Sequence, residues 1–422
     1  RFTAICSKKT TMAESFQNVE EALHWLYSRQ HLGVKLGLEN VRRLLEVTGL
    51  STREMRFVHV AGTNGKGSTC AFIHSLLATA GERVGLFTSP HLVRFNERIR
   101  DELGEISAEE LNCLLSGLRT TTEHWTNPPT FFELALVLGM QWFKQRGCVW
   151  AVMETGLGGR LDATNVVSPE VCVITRIGMD HMEMLGETLE LIAAEKAGII
   201  KPGVPVVTGP QEAAAMEVLR QVARERSALL IVVEEPWTKS DPGLAGEHQR
   251  WNAALAVAAV KAAGVVMEEK SIMVALAETR WPGRFERLPG GEILDGAHNE
   301  DGVAALVQTW KSVHGMQRAT AVVGMVREKA VEAMLKRLSE VVGRWCLTGF
   351  QSPRALPAEE LRDRLLSLGV SAPMECHALV GDALASAQAG GAPVLICGSL
   401  YLVGEARALL TADGTSFERS SQ

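Results

Sequence analysis

The sequence predicts an α/β protein: a P-loop-containing, doubly wound parallel sheet followed by a smaller, Rossmann-like α/β domain. Three observations carry this. Short β-branched runs alternate with helical segments along most of the chain, separated by glycine turns. One apolar run ends in a glycine-rich turn that opens a helix, Phe57–Thr79. The alternation breaks once, at Trp281-Pro-Gly-Arg284, and then restarts, which places a domain boundary near residue 285.

The elements follow in order. Helical patterning begins near Val19, and a second helix covers Leu38–Val47. The strand carrying Phe57, Val58 and Val60 gives way to Gly62-Thr-Asn-Gly65-Lys66-Gly67, and Ser68 and Thr69 open a helix with Phe72, Ile73, Leu76 and Leu77 on one face. A strand at Val84–Phe87, a loop at Thr88–Asn96 and a helix at Ala108–Leu118 come next. Phe131–Phe143 reads as an apolar helix, Val149–Met153 and Val171–Thr175 as strands, Leu189–Ala197 as a helix and Val204–Thr208 as a strand. Beyond the break, strands at Glu292–Leu294, Ala319–Val323, Trp345–Thr348 and Val394–Cys397 alternate with helices at Asp301–Val313, Val331–Val341 and Ala358–Leu368. The expected division is an N-terminal extension over 1–15, a first domain over 16–284 and a second over 285–422.

Composition narrows the function classes. A chain of 422 residues suggests two or three domains, and 46% apolar with 22% charged residues is the make-up of a folded chain. A net charge of −6 argues against nucleic-acid binding but leaves anionic small molecules open. The eight cysteines are scattered without metal spacing, which reads as reduced thiols and a cytoplasmic location. No apolar run approaches the roughly 20 residues that span a bilayer. The alanine-rich Ala253–Met267 carries Lys261 and reads as a buried helix. The residues before Met12 lack the apolar core of a signal peptide and read as a disordered or artefactual extension.

Several motifs carry chemistry. Gly65, Lys66, Gly67 and Ser68 form a phosphate cradle: backbone N–H groups, a helix N-terminus and one full charge. The pattern departs from the strict P-loop, with Val60 at the first glycine position and Gly67 inserted before Ser68. Glu154 ends a buried strand, where an acid either holds Mg²⁺ on nucleotide phosphates or serves as a helix cap or salt-bridge partner. Asp180-His181 repeats that arrangement, as a metal or phosphate contact or a structural pair. Ser89 is placed to supply a hydroxyl ligand or to close an ST-turn. Lys201 suits a helix C-terminus, while Lys196 lies further inside. Asp295 reads equally as an N-cap or as a ribose or phosphate contact, at the turn that also carries His298.

Together these segments resemble the folylpolyglutamate synthase / dihydrofolate synthase family, relatives of the Mur ligases. AGTNGKGS, TSPHL, TFFE, ETGLGGRLDATN, MDH, AAEKAGIIK, PGRFE, DGAHN and GSLYLVGEAR all stand in family order between Val19 and Arg407. The resemblance implies a Mur ligase-like fold and an ATP-dependent ligase. It implies that Gly65, Lys66, Gly67, Ser68, Asn252, Arg284 and Asp295 bind ATP, and that Ser89, Glu154 and His181 hold two Mg²⁺ ions. Lys196 matches the family's carbamylated lysine.

The pteroate or folate side is implied at Gly33, Val34, Lys35 and Leu36, at Thr130, Phe131, Phe132 and Glu133, and at Leu161, Asp162 and Ala163. Two positions depart from the family pattern: Lys35 replaces a usual Asp, and Ala330 another, although Lys329 is kept. The implied reaction activates a carboxylate as an acyl phosphate and couples L-glutamate to it, with His298 or Asp295, or water, taking the ammonium proton.

The expected activity is bifunctional, making dihydrofolate from dihydropteroate and extending folate tails. A monofunctional folylpolyglutamate synthase is the alternative that Lys35 signals, and a P-loop ATPase of another class is a third. The segment from Val19 to the phosphate loop is too short for the uridine-nucleotide domain of a cell-wall Mur ligase. The expected partners are ATP, L-glutamate and dihydropteroate or reduced folates, with no nucleic acid or membrane, and the chain is expected to act as a monomer.

Overall fold

In the computed structural model, residues 15–33, 37–411 and 417–418 are described. Among them the strands fall into two sheets. The first is built from β1 (Arg56–Ala61), β2 (Val84–Phe87), β3 (Ile99–Asp101), β4 (Gly104–Glu105), β5 (Trp150–Glu154), β6 (Val171–Ile174), β7 (Val206–Thr208) and β8 (Leu230–Val232). Their order is β4-β3-β2-β5-β1-β6-β7-β8, so β1 lies between β5 and β6. All of these pairs are parallel except β2–β3 and β3–β4, a hairpin that adds an antiparallel edge.

Among the described residues, ten α-helices belong with this sheet: α1 (Val19–Tyr27), α2 (Glu39–Val47), α3 (Lys66–Thr79), α4 (Ala108–Thr122), α5 (Phe131–Arg146), α6 (Met182–Leu185), α7 (Leu189–Ala197), α8 (Ala213–Glu225), α9 (Glu247–Ala262) and α10 (Glu269–Glu278). The β1 to β2 crossover through α3 is possible because Val58 and Val60 bury one face against Phe72, Ile73 and Leu76 of that helix. Phe57 buries the other face against α5 residues such as Leu134 and Leu138. Buried on both faces, β1 reads as a near-continuous apolar run, as a central parallel strand must.

The second sheet contains β9 (Glu286–Arg287), β10 (Ile293–Asp295), β11 (Ala319–Val323), β12 (Val342–Thr348), β13 (Met374–His377) and β14 (Val394–Cys397), ordered β13-β12-β11-β14-β10-β9. It is flanked by α11 (Glu300–His314), α12 (Val331–Leu338), α13 (Ala358–Ser367), α14 (Val380–Gln388) and α15 (Leu400–Leu410). Its pairs are parallel except β9–β10. The predicted strands and helices are recovered with ends moved by a few residues. The hairpin β3–β4 falls just beyond the predicted loop, and β8, β9, β13, α6, α8, α10, α14 and α15 add to the expected list. No helix among the described residues is long and apolar enough to cross a membrane.

Candidate functional site

The carboxyl ends of both sheets open onto one cleft of about 580 Å³. From the first sheet come the loop after β1, Ser89 after β2, Glu154 ending β5 and Asp180-His181 after β6. From the second come Asp295 ending β10, Lys329 after β11 and Ser399 after β14.

The β1–α3 loop needs its glycines. Gly62 takes φ +151°, and a Cβ there would stand 1.8 Å from Thr175 Oγ1. Gly65 takes φ +90° and would meet Asn252 Oδ1 at 2.5 Å. The helix begins at Lys66, two residues before the predicted start, so the free N–H groups of its first turn belong to the loop itself.

Two lysines converge on one carbonyl. Lys66 Nζ donates to Gly62 O at 3.1 Å and Thr63 O at 3.2 Å, and Lys196 Nζ donates to Gly62 O at 3.0 Å. Lys196 comes from the last turn of α7, and burial, then the adjacent Lys66 charge, bring it down to about 7. An amine lowered this far carries a neutral fraction, with a free lone pair, near neutral pH. Lys201, by contrast, does not reach the carbonyls of its helix: its Nζ donates to Asn165 O at 2.9 Å.

Oxygen donors gather opposite these lysines. Glu154 is buried and accepts from Ser89 N at 3.1 Å, so it does not cap a helix. Burial pushes its carboxyl up, against the pull of Lys66. The Ser89 hydroxyl is buried without a hydrogen-bond partner, an orphaned hard donor beside a carboxylate. Such a pair fits Mg²⁺. His181, at φ +53°, is brought to about 4, chiefly by desolvation within the cleft although its side chain is 42% exposed, which keeps the imidazole neutral and able to ligate.

Asp180 joins the two domains. It pairs with Lys329, accepts from Asn299 Nδ2 at 3.1 Å, and lies 4.0 Å from both His181 and His298. Although burial opposes it, the Lys329 charge leads the influences that hold its carboxyl well below the usual range. Asn299 also exchanges hydrogen bonds with Asn64 of the phosphate loop, at 3.0 and 3.2 Å. We expect Lys329→Met to lower kcat/KM by at least about tenfold, because it leaves Asp180 buried and uncompensated. Adding Asp180→Asn should return part of the loss, with a coupling of about 1–3 kcal/mol. Strictly additive losses would show that the pair does not act as a unit.

The structure corrects one reading at the second-domain turn. Asn299, not Asp295, is the N-cap of α11, accepting from Gly302 N at 2.8 Å. Asp295 is buried and accepts from Phe285 N and Ala297 N, both at 2.9 Å. His298 Nδ1 lies 2.8 Å from Gly296 O, so it carries the proton and leaves Nε2 as an acceptor. Arg284 and Asn252 line the same cleft.

Sequence reasoning missed Gln249, which is buried on α9. Its Nε2 donates to Ser68 Oγ at 3.2 Å while its Oε1 accepts from Asn252 Nδ2 at 2.9 Å. The only signal was its spacing, one helical turn before Asn252.

The residues expected on the pteroate side lie apart from this cleft. Thr130 and Glu133 form a reciprocal capping box for α5, and Phe131 stacks on Tyr27 with centroids 5.5 Å apart. Asp162 accepts from Gly156 N and Leu157 N at 2.9 Å, from Thr164 N at 3.0 Å and from the Thr164 hydroxyl, so its oxygens shape the loop. Leu161 and Ala163 flank it. Phe132 approaches the cleft wall, since a Cβ on Gly156 would come within 2.7 Å of its ring. Gly33, at φ +64°, ends a short 3₁₀ turn, and Val34, Lys35 and Leu36 lie outside the described residues.

The Mur ligase middle domain matches residues 60–205, and the Mur ligase glutamate ligase domain matches residues 283–400. The dihydrofolate synthase/folylpolyglutamate synthase of Bacillus subtilis is 36% identical, over 93% of this chain and 99% of its own. The folylpolyglutamate synthase of Lacticaseibacillus casei is 33% identical, over 93% and 99%. A solved structure of E. coli FolC in complex with DHPP and ADP superposes with a TM-score of 0.83 at 31% identity, covering 93% of this chain and 98% of that one. With both domains matched in order and relatives aligned nearly end to end, the chain belongs to the dihydrofolate synthase/folylpolyglutamate synthase family of Mur ligases.

Proposed function

We propose that this chain is an ATP-dependent ligase that couples L-glutamate to the carboxylate of dihydropteroate, making dihydrofolate, and extends folates with γ-linked glutamate. The observation that carries the reading is the cleft itself: a phosphate loop with two lysines on one carbonyl, a buried acid beside an orphaned hydroxyl, and a second domain facing them. A free carboxylate is a poor acyl donor because oxide would have to leave. Transfer of the γ-phosphoryl group of ATP to a carboxylate oxygen, with release of ADP, gives an acyl phosphate. The amine of glutamate then attacks the carbonyl carbon, and phosphate departs.

Each residue has a task in this scheme. Lys66 and the first-turn N–H groups of α3 offset the repulsion between two anions and stabilise charge on the transferred group. Ser89, Glu154 and His181 would hold Mg²⁺, which supplies further charge neutralisation on the phosphates. Lys196, carbamylated, would add an anionic oxygen ligand. Gln249 and Asn252 fix the phosphate loop, and Arg284 and Asp295 meet the nucleotide from the domain boundary. The Nε2 of His298, 4.0 Å from Asp180, would accept the ammonium proton. The pteroate end would enter past Phe132 and Gly156. One chain supplies every residue named, so a monomer suffices. The chain's eight cysteines, with no disulfide among the described residues, suit the cytoplasm.

The test is ADP release by purified protein. Turnover should require L-glutamate together with an acceptor, and should proceed with dihydropteroate and with tetrahydrofolate. Turnover with tetrahydrofolate alone would leave a monofunctional folylpolyglutamate synthase, the name carried by the L. casei relative. ADP release independent of both substrates would overturn the ligase reading.

A further inference from the structure

A second cluster of ligand-bearing side chains lies at the outer edge of the second sheet, away from the cleft. In the parallel pair β12–β13, Cys346 stands opposite Glu375, and His377 is two residues further along. Side chains alternate along a strand, so these three share one face. One ligand atom from each lies within 4.8 Å of the other two. We propose that Cys346, Glu375 and His377 form a binding site for a borderline divalent metal of the Zn²⁺ class, unrelated to the magnesium chemistry of the cleft.

The donor set selects the metal. A thiolate, an imidazole nitrogen and one carboxylate oxygen suit Zn²⁺ or Co²⁺, whereas Mg²⁺ demands oxygen donors. Three protein ligands leave the fourth tetrahedral position to water. His377 Nε2 is buried without a hydrogen-bond partner and lies 3.6 Å from Glu375 Oε2.

The surroundings orient the carboxylate. Arg344 Nη2 and Nε donate to Glu375 Oε1 at 2.6 and 3.2 Å, holding that oxygen from behind. Ser386, on α14, donates to Oε2 at 2.6 Å and lies 3.8 Å from Cys346 Sγ. A bound cation would take Oε2 from the Ser386 hydroxyl and leave Arg344 in place as the outer partner. Burial raises the Cys346 thiol, so binding would expel its proton to buffer. The metal would pin β13, an edge strand, to β12.

The probe is Co²⁺ added to the chelator-stripped full chain in excess Mg²⁺, read by the thiolate-to-cobalt absorption band. No cysteine lines the catalytic cleft among the described residues, so cobalt bound there gives no such band. We expect a band that saturates near one equivalent, is displaced by Zn²⁺, and accompanies a rise in melting temperature with Zn²⁺. Cys346→Ser should abolish it. His377→Ala, on the edge strand, should weaken binding at least about tenfold while the unliganded fold is kept. Cys113→Ser, which removes an exposed thiol, should leave the band unchanged. Absence of a band, its survival in Cys346→Ser or an undiminished affinity in His377→Ala, or its loss with Cys113→Ser would each overturn the proposal.

Discussion

Lys66→Ala is expected to lower kcat for ADP release at least about 10²–10³-fold, the loss that follows removal of one preorganised transition-state donor. Lys66 is the first residue of α3, and its ammonium rests on the carbonyls of Gly62 and Thr63. It is the one full positive charge on the loop, where a transferring phosphoryl group accumulates negative charge. Stability should change little. The side chain is only half-buried, Ala is a good residue for a first helical turn, and the core of α3 is made by Phe72, Ile73, Leu76 and Leu77.

The substitution should also reach Lys196. Lys66 is the main nearby charge that lowers the Lys196 amine, so its removal raises that amine and leaves less of it neutral at pH 7. Nucleotide binding by calorimetry, ADP release and a thermal melt would separate these effects. A variant that turns over at close to the wild-type rate would refute the role given to Lys66, whatever its melting temperature.

How much of this was legible in the sequence follows from how local each signal is. The β1–loop–α3 unit could be read because its apolar run, its glycines and its helix are contiguous, and positive φ at Gly62 and Gly65 is a backbone need that only glycine meets cheaply. The hairpin at 99–105 was not legible: Arg-Asp-Glu-Leu-Gly-Glu has no clean alternation, and its strands are three and two residues long. Met374–His377 escaped for a related reason, being a half-buried edge strand without an apolar run.

Within the site, residues at strand ends could be nominated from the sequence, but not their partners. Ser68 and Gln249 are 181 positions apart, and Asn64 and Asn299 are 235 apart. Asp295 was open to an N-cap reading because an acid before a helix usually is one. Here it is turned back onto Phe285 N by the strand that carries it, and Asn299 takes the cap.

Lys196→Ala is expected to cost about as much as Lys66→Ala, and the pattern of its recovery distinguishes two roles for the residue. If Lys196 acted as a cation on the phosphates, Lys196→Arg would retain activity and small acids would do nothing. Its environment argues otherwise. The side chain is 4% exposed, shares the Gly62 carbonyl with Lys66, and titrates near 7. A second permanent cation there would meet strong repulsion. The neutral amine can instead attack CO₂ through its nitrogen lone pair, forming a carbamate and releasing a proton to water. The product is an anionic oxygen donor on a long stem, in the cleft that Glu154 and Ser89 also line. Carbamylation therefore rises as pH increases through about 7. Protein stripped of CO₂ below that pH should lose activity, and bicarbonate at pH 8 should restore it. Lys196→Ala should regain part of its activity with acetate or propionate, which can place a carboxylate in the space left by the side chain. Lys196→Arg should stay inactive under both treatments. Insensitivity of the wild type to bicarbonate, together with no recovery of Lys196→Ala in short-chain acids, would rule out the carbamate and return Lys196 to a role in shaping the phosphate loop.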